Sequence, residues 1–436
     1  MMQHSTISCT LKEVSPHFIN ATITIPRLYV EKLYNQISFL QQSSTQVKGF
    51  TKGATPLGYI ECNFQPHILD HLKEFFFKYF VIDWLYQEVE REGKCLASEP
   101  RLIEIVLLPN QPAFYHFSLS LVPDISLQGW KRLPFKASKR KNYKDLDRQV
   151  KKFLKVEEDA QKTSTDTIQP GDWILFSVQI LTDNQTSLFN DYEVFLWLKI
   201  GNEESDIQTQ QLFGGKKIKD TFVTQHLLLQ EYFSHSVETE YLFKVKIYDI
   251  VPFAFFDNEK FKKHFKIKNS TEIHHKLIEV FSYRNDISQR RAIVEESLKL
   301  LLSKFPFEIP NHLILRKQKD ILDSIQNNPD YPIYKTQRDF QEKIKKLAIK
   351  QVKERMLISR LALQEKITTS FDDVHCYLNL TKRARIREFV YFKVPETQVL
   401  GQETPLSAIV MSRHCLQEKT LNYTIYNLIK QKTKKV

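Results

Sequence analysis

Ile19, Ala21, Ile23 and Ile25 alternate with Asn20, Thr22 and Thr24, the period of a half-buried strand, and Pro26 ends the run. The period then changes. Val30, Leu33, Ile37 and Leu40 recur at helical spacing with polar residues between them, which predicts a helix. After an interruption, Leu72, Phe75, Phe76, Tyr79, Ile82, Tyr86 and Val89 form a second helical stripe, with Gly93 placed to cap it. Two strand-like runs follow, Leu102–Leu108 and Ala113–Val122, the second with Ala113, Tyr115, Phe117, Leu119 and Leu121 on one face. A strand, two helices joined by a loop, and returning strands predict a compact α+β unit over residues 1–122, from which the loop projects.

Thr163–Pro170 reads as a polar linker, and Gly171-Asp172 opens a β-rich module over residues 163–251. In it Trp173, Leu175, Ser177 and Gln179 alternate with Ile174, Phe176, Val178 and Ile180, a strand buried on at least one side. Tyr241–Ile250 is a second strand, and Gly201 and Gly214-Gly215 mark turns between the two. After Pro252 the pattern turns helical over residues 252–436. One long helix leads from Ile278, Val280 and Phe281 past Ile293, Val294, Leu298 and Leu301 to a corner at Phe305-Pro306-Phe307-Glu308-Ile309-Pro310. Two prolines there force extended backbone between helices. Helices are then expected over Asn311–Gln326, Thr336–Glu365, Asp372–Phe389 and Pro405–Ile429, ahead of a basic tail. Long helices with short joints predict arms that leave apolar surface uncovered. The class is α+β multidomain, with residues 123–162 as a linker between the first unit and the β-rich module.

At 436 residues, 42% hydrophobic and 26% charged, the chain is expected to fold into about two to four domains. Lys and Arg exceed Asp and Glu by 63 to 51, a net +12 that favours acidic partners such as RNA. Within that excess, Lys139-Arg140-Lys141, Lys144, Arg148, Lys151, Lys152 and Lys155 crowd one segment; it reads as a solvated helix face or as an RNA-contacting one. Only 10 Gly, with no G-x-G-x-x-G and no G-x-x-x-x-G-K-[ST], argue against a bound nucleotide, and no cofactor is expected. The cysteines Cys9, Cys62, Cys95, Cys376 and Cys415 form no C-x-x-C pair, and adjacent His274 and His275 would point about 100° apart on a helix, so no metal site is expected. Cys62 is read as a small buried hydrophobe, and no G-x-S-x-G nucleophile elbow occurs, so no catalytic residue is assigned. Met1–Glu13 lacks a signal-peptide pattern and no window of ~18 apolar residues occurs, which predicts a cytoplasmic protein without a membrane partner.

The interruption between the first two helices is Gly49-Phe50-Thr51-Lys52-Gly53-Ala54-Thr55-Pro56. Two glycines and a proline so close cannot sit inside a helix, so a tight loop is predicted with Phe50 at its tip beside Lys48 and Lys52. Locally this fits an ordinary helix–loop–helix turn as well as an apolar anchor flanked by cations. The stretch resembles the ribosome-docking signature of bacterial trigger factor, a family that usually has Arg where this chain has Thr51. The strand–helix–loop–helix–strand order of residues 1–122 resembles that family's first domain. Pro170-Gly171-Asp172, Leu212-Phe213-Gly214-Gly215-Lys216 and Phe243-Lys244-Val245 resemble its FKBP-like isomerase domain. Asp257-Asn258-Glu259-Lys260-Phe261 resembles the entry to its C-terminal domain, and Phe305–Pro310 a junction within it.

The resemblance implies an N-terminal α+β ribosome-docking domain, an inserted FKBP-like module, and an elongated all-α C-terminal domain with arms, with residues 123–162 as a helical arm that packs with the C-terminal domain. It implies an ATP-independent chaperone, monomeric or a weak homodimer, that docks on protein and RNA at the tunnel exit and shields nascent unfolded polypeptides for folding and export. Its docking residues would be Lys48, Gly49, Phe50, Thr51, Lys52, Gly53 and Pro56. One departure stands out. The family's proline-binding cup uses a Pro-Gly-Phe segment, whereas Glu203–Gln211 has no aromatic and no proline, and Glu203, Glu204 and Asp206 would wet the cup. Prolyl isomerase activity, with aromatics supplied from elsewhere, remains an alternative. A basic RNA-binding protein on the same scaffold is another.

Overall fold

The computed structural model describes residues 6–136, 167–182, 184–203, 206–234, 240–252, 287–326, 328–381, 390–399 and 401–430, with a few single positions between these stretches. Two strands open the chain: Ser8–Ser15 (β1) pairs antiparallel with Phe18–Ile25 (β2), Ser8 opposite Thr24. Strand β1 escaped the pattern reading because it lies at a sheet edge and its apolar alternation is short: Ile7, Cys9 and Leu11 face the core, and the residues after them are in solvent. Four helices follow, Arg27–Ser44 (α1), Leu57–Asn63 (α2), Gln65–Phe76 (α3) and Ile82–Arg91 (α4). A π turn, Phe77–Val81, joins the last two, and the positive φ of Gly93 closes α4. Arg101–Val106 (β3) and Ala113–Ser120 (β4) complete an antiparallel sheet in the order β1-β2-β4-β3. Its inner face is the expected one: Ile19, Ala21, Ile23, Ala113, Tyr115 and Leu119 are all fully buried.

The second module is built from Trp173–Leu181 (β5), Val194–Lys199 (β6), Ile207–Phe213 (α5), Thr221–Thr224 (β7), Leu227–Phe233 (α6) and Leu242–Val251 (β8). The C-terminal part is helical: Ile287–Lys304 (α7), Asn311–Gln326 (α8), Tyr331–Lys335 (α9), Phe340–Gln364 (α10) and Phe371–Thr381 (α11). Short strands Gln398–Val399 (β9), Gln402–Glu403 (β10) and Leu406–Ser407 (β11) precede the last helix, Ala408–Lys430 (α12). The helix expected from Pro405 therefore starts later. Pro405 has no N–H to donate, and the residues after it pair with the edge of β6, Leu406 opposite Trp197 and Ser407 opposite Leu196. The second sheet thus runs β11-β6-β5-β8-β7, with one strand contributed by the C-terminal part.

Every residue of β5 is buried, because both of its faces are covered. Ile174, Phe176, Val178 and Ile180 join the core that also holds α3 and the π turn. On the other face, Trp173 and Leu175 pack with Trp197, Val251, Val374, Leu378 and Met411. Ser177 and Gln179 are buried too, and Gln179 donates to Ser187 Oγ (3.3 Å) and Asp191 Oδ1 (3.2 Å). Residues after β4 leave the first sheet for the helical core, where Ile125, Leu127 and Trp130 pack with Leu298, Leu357, Leu361 and Leu421. The corner at Phe305, Phe307 and Ile309 lies half-buried against that same core, between α7 and α8 as expected. The segments 139–147 and 253–261, with His274, His275 and the helix expected over 382–389, lie outside the described residues; Arg148, Lys151 and Lys155 are exposed.

Asp83 on α4 ties the first module to the C-terminal part, accepting from Ser407 Oγ at 2.7 Å. Burial raises its pKa to about 6, against an ordinary value near 3.8. A carboxyl with a raised folded pKa contributes most when protonated in both states, and loses stability as pH climbs from about 4 to 6. That interval corresponds to about 3 kcal/mol. Asp83→Asn should therefore be more stable than the parent at pH 7 by roughly that amount and equal to it near pH 4; urea unfolding at the two pH values measures this. An equal shift at both would mean that Asp83 ionises in the folded protein at its ordinary pKa, without the upward shift.

Candidate functional site

The loop between α1 and α2 is two β-turns set back to back. Phe50 N–H donates to Val47 C=O (3.0 Å), and Ala54 N–H donates to Thr51 C=O (3.0 Å). In each turn the third residue is a glycine with positive φ, Gly49 at 99° and Gly53 at 82°. This is the conformation that a type II turn imposes at that position, and it explains why the glycines stand four apart. Phe50 and Thr51 fall at the junction of the turns, and Lys48, Phe50, Thr51 and Lys52 are all exposed.

The ends of the loop are tied down while its tip is free. Thr45 N–H donates to Gln41 C=O (3.0 Å), closing α1, and Gln42 Nε2 reaches across to Thr55 C=O (2.5 Å). Pro56 sits before α2 with φ −56°, as Pro26 sits before α1 with φ −58°, and the Pro56 C=O accepts from Tyr59 N–H (3.0 Å) and Ile60 N–H (3.2 Å) to start α2. Thr55 and Ile60 are fully buried and anchor the returning chain. The structure thus brings Lys48, Gly49, Phe50, Thr51, Lys52, Gly53 and Pro56 into one projecting loop with an apolar ring at the tip and two ammonium groups beside it. Cys62 is exposed on α2 rather than buried: this short helix turns Ile60 inward and leaves its other faces to solvent.

Two family descriptions match the chain. That of the bacterial trigger factor protein (TF) matches residues 7–155, and that of the bacterial trigger factor protein C-terminus matches residues 271–383, together more than half of the sequence. The chain belongs to the bacterial trigger factor family. Membership carries a ribosome-associated chaperone function, with the ribosome and nascent chains as partners. A solved structure of the trigger factor chaperone, described for promiscuous substrate recognition in folding and assembly, overlaps 96% of this chain and 100% of its own. It does so at 14% identity and a TM-score of 0.37, too loosely to bear on the fold. A search of curated proteins returns no match.

In this trigger factor chain the middle module lies between the family matches, and its aromatic face is not open. Phe189, Tyr192, Phe233, Tyr241 and Phe243 gather there, although Glu203–Gln211 brings no aromatic. Side chains of α3 and the π turn fill the space against them. Phe75 meets Phe233 (5.3 Å between ring centroids) and Tyr241 (5.4 Å), and Phe80 meets Phe189 (5.1 Å) and Tyr192 (4.8 Å). Tyr79 Oη donates to Tyr192 C=O (3.1 Å) and accepts from Ile180 N–H (3.2 Å), while His71 Nε2 and Tyr241 Oη lie 2.8 Å apart. Burial holds His71 at a pKa of about 4, a neutral ring inside an apolar wall. Asp206 does not wet this face. It is buried beside Gly201, and its Oδ2 accepts from Glu403 N–H (3.0 Å).

Thiol chemistry finds no support in the environment of the shielded cysteines: burial pushes Cys9 up to about 12 and Cys95 to about 11. Among the described residues no group of three His, Cys, Asp or Glu could hold a metal, and no helix is long and apolar enough to cross a membrane. In the helical part, α8, α9 and α10 form an arm with its own small core of Ile321, Phe340, Ile344 and Ala348. Leu315, Ile333, Tyr334 and Leu347 stand exposed on it, Ile333 at 64%. Each loop glycine has open space where a Cβ would go, so Gly49→Ala and Gly53→Ala test backbone strain alone. Each should cost about 1–2 kcal/mol in chemical denaturation. A cost under a few tenths would show that the turns re-form without positive φ.

Proposed function

We propose that the loop Lys48–Pro56 is the element by which this chaperone docks at the ribosomal tunnel exit. Phe50 would seat in an apolar recess of a ribosomal protein, and Lys48 and Lys52 would meet RNA phosphate. The observation that carries this reading is a large apolar ring held out in solvent by two glycine turns whose ends are pinned to α1 and α2. A mobile ring would lose more freedom on binding than one presented by closed turns. Thr51, where the family usually has Arg, leaves docking with one cation fewer. The chaperone step follows from the arm: its exposed Leu315, Ile333, Tyr334 and Leu347 offer weak, repeated contacts to an emerging chain, which leaves again without nucleotide. We place this activity in the cytoplasm, on a monomer or a weak homodimer.

The test is co-sedimentation of the full chain with ribosomes. Replacing Phe50, Lys52 and Gly53 together by alanine should release the protein into the supernatant, a loss of at least tenfold in affinity; unchanged pelleting would remove the loop from the docking assignment.

The isomerase alternative needs an open aromatic cup, and the aromatics it would use are in contact with Phe75, Tyr79 and Phe80. We read the middle module as a packed spacer. In a protease-coupled assay on an Ala-Pro-Phe peptide, the full chain should show no turnover above the uncatalysed rate. Turnover comparable to an FKBP would mean that α3 vacates the cup.

A further inference from the structure

We propose that Tyr59 is a positioning residue that holds the ring of Phe50 for docking. The proposal rests on the docking reading above and extends it to a residue outside the loop.

Helix geometry decides where Tyr59 faces. Successive residues of α2 are about 100° apart, so with Ile60 fully buried its neighbour Tyr59 points away from the core. Pro56 starts α2 immediately after the loop, which sets Tyr59 in the first turn and directly behind the tip. The rings of Phe50 and Tyr59 lie 5.7 Å apart between centroids and are tilted by 54°. Both stay partly in solvent, Phe50 at 37% and Tyr59 at 40% exposure. Each covers part of the other, and the 5.7 Å separation lies within the range at which aromatic pairs attract.

The consequence is preorganisation. A phenylalanine between two glycine turns has its backbone defined but few neighbours to select a side-chain rotamer. Tyr59 supplies that neighbour, and an aromatic pair of this geometry shifts such an equilibrium by about three- to tenfold. Tyrosine suits the position because its hydroxyl keeps a half-exposed ring hydrated when the loop is undocked. A bystander role for Tyr59, a surface ring with no bearing on Phe50, makes a different prediction for the double variant.

Ribosome affinity of the full chain is measured by co-sedimentation for Phe50→Ala, Tyr59→Ala, Tyr59→Phe and the double alanine variant, with thermal melting as the fold control. Tyr59→Ala should weaken binding about three- to tenfold with an unchanged melting temperature, and Tyr59→Phe should stay within about twofold of the parent. In the Phe50→Ala background, Tyr59→Ala should add less than about twofold, because the ring it positions is gone. Additive losses would overturn the proposal, showing that Tyr59 touches the ribosome on its own account. So would a weakened Phe50→Ala beside an unaffected Tyr59→Ala. If Phe50→Ala itself binds like the parent, the docking reading fails and the pairing falls with it.

Discussion

The insertion of α3 and the π turn into the aromatic face of the second sheet is the contact on which the rest of this molecule depends. The five-residue turn Phe77–Val81 widens the helix locally, so that Tyr79, Phe80 and Val81, three residues in a row, are all fully buried. A regular amphipathic helix would bury one stripe; this one has to satisfy two sheets. Its inner side covers the first sheet, where Tyr115 Oη donates to Lys73 C=O at 2.9 Å, and its outer side fills the second. The first two modules therefore share one continuous core. The middle module is consequently not a domain on a hinge, and its apolar face is spent inside the chain.

The same sheet is held from behind. Strand β11 extends it, and α11 and α12 cover it with Val374, Leu378 and Met411. His375 Nδ1 and Asp249 Oδ2 lie 2.7 Å apart across that junction, so polar groups as well as apolar ones cross it. A strand covered on both faces must be apolar at every position where no hydrogen-bonding partner is supplied. That is the composition of β5 apart from Ser177 and Gln179, and Gln179 is partnered by Ser187 and Asp191. What lies beyond this clamp is uncovered: the docking loop at one place and the α8–α10 arm at another. Both expose large apolar side chains, and they are the parts to which we assign the docking and chaperone steps.

The docking loop unites two demands that usually conflict, exposure and order. Exposure comes from its position between helices, with Thr55 and Ile60 buried and Val47 packed against the core. Order comes from backbone hydrogen bonds within two turns, and from Gln42, which closes the base. No apolar burial of the tip is required, so Phe50 stays available. The Tyr59 ring adds order at the only level the backbone cannot reach, the side chain itself.

Much of this was legible in the residues. The period of two at Ile19–Ile25, the helical stripe from Leu72 to Val89, the glycine spacing of the loop and the proline corner at Phe305–Pro310 are local properties, written in neighbours along the chain. Strand β1 was not legible, because at an exposed edge its alternation stops after Ile7, Cys9 and Leu11, and β11 was not, because two residues after a proline carry no period. Cys62 was misplaced for a related reason: on so short a helix no stripe distinguishes inside from outside. By itself, then, the sequence determined the strongly periodic elements, the loop and the family. Only the tertiary structure decided that the aromatics of α3 and the π turn fill the middle module, that β5 is covered twice, and that Tyr59 lies against Phe50. Periodicity records which side chains leave water; it holds no information on what they leave water for, since that partner comes from a distant part of the chain.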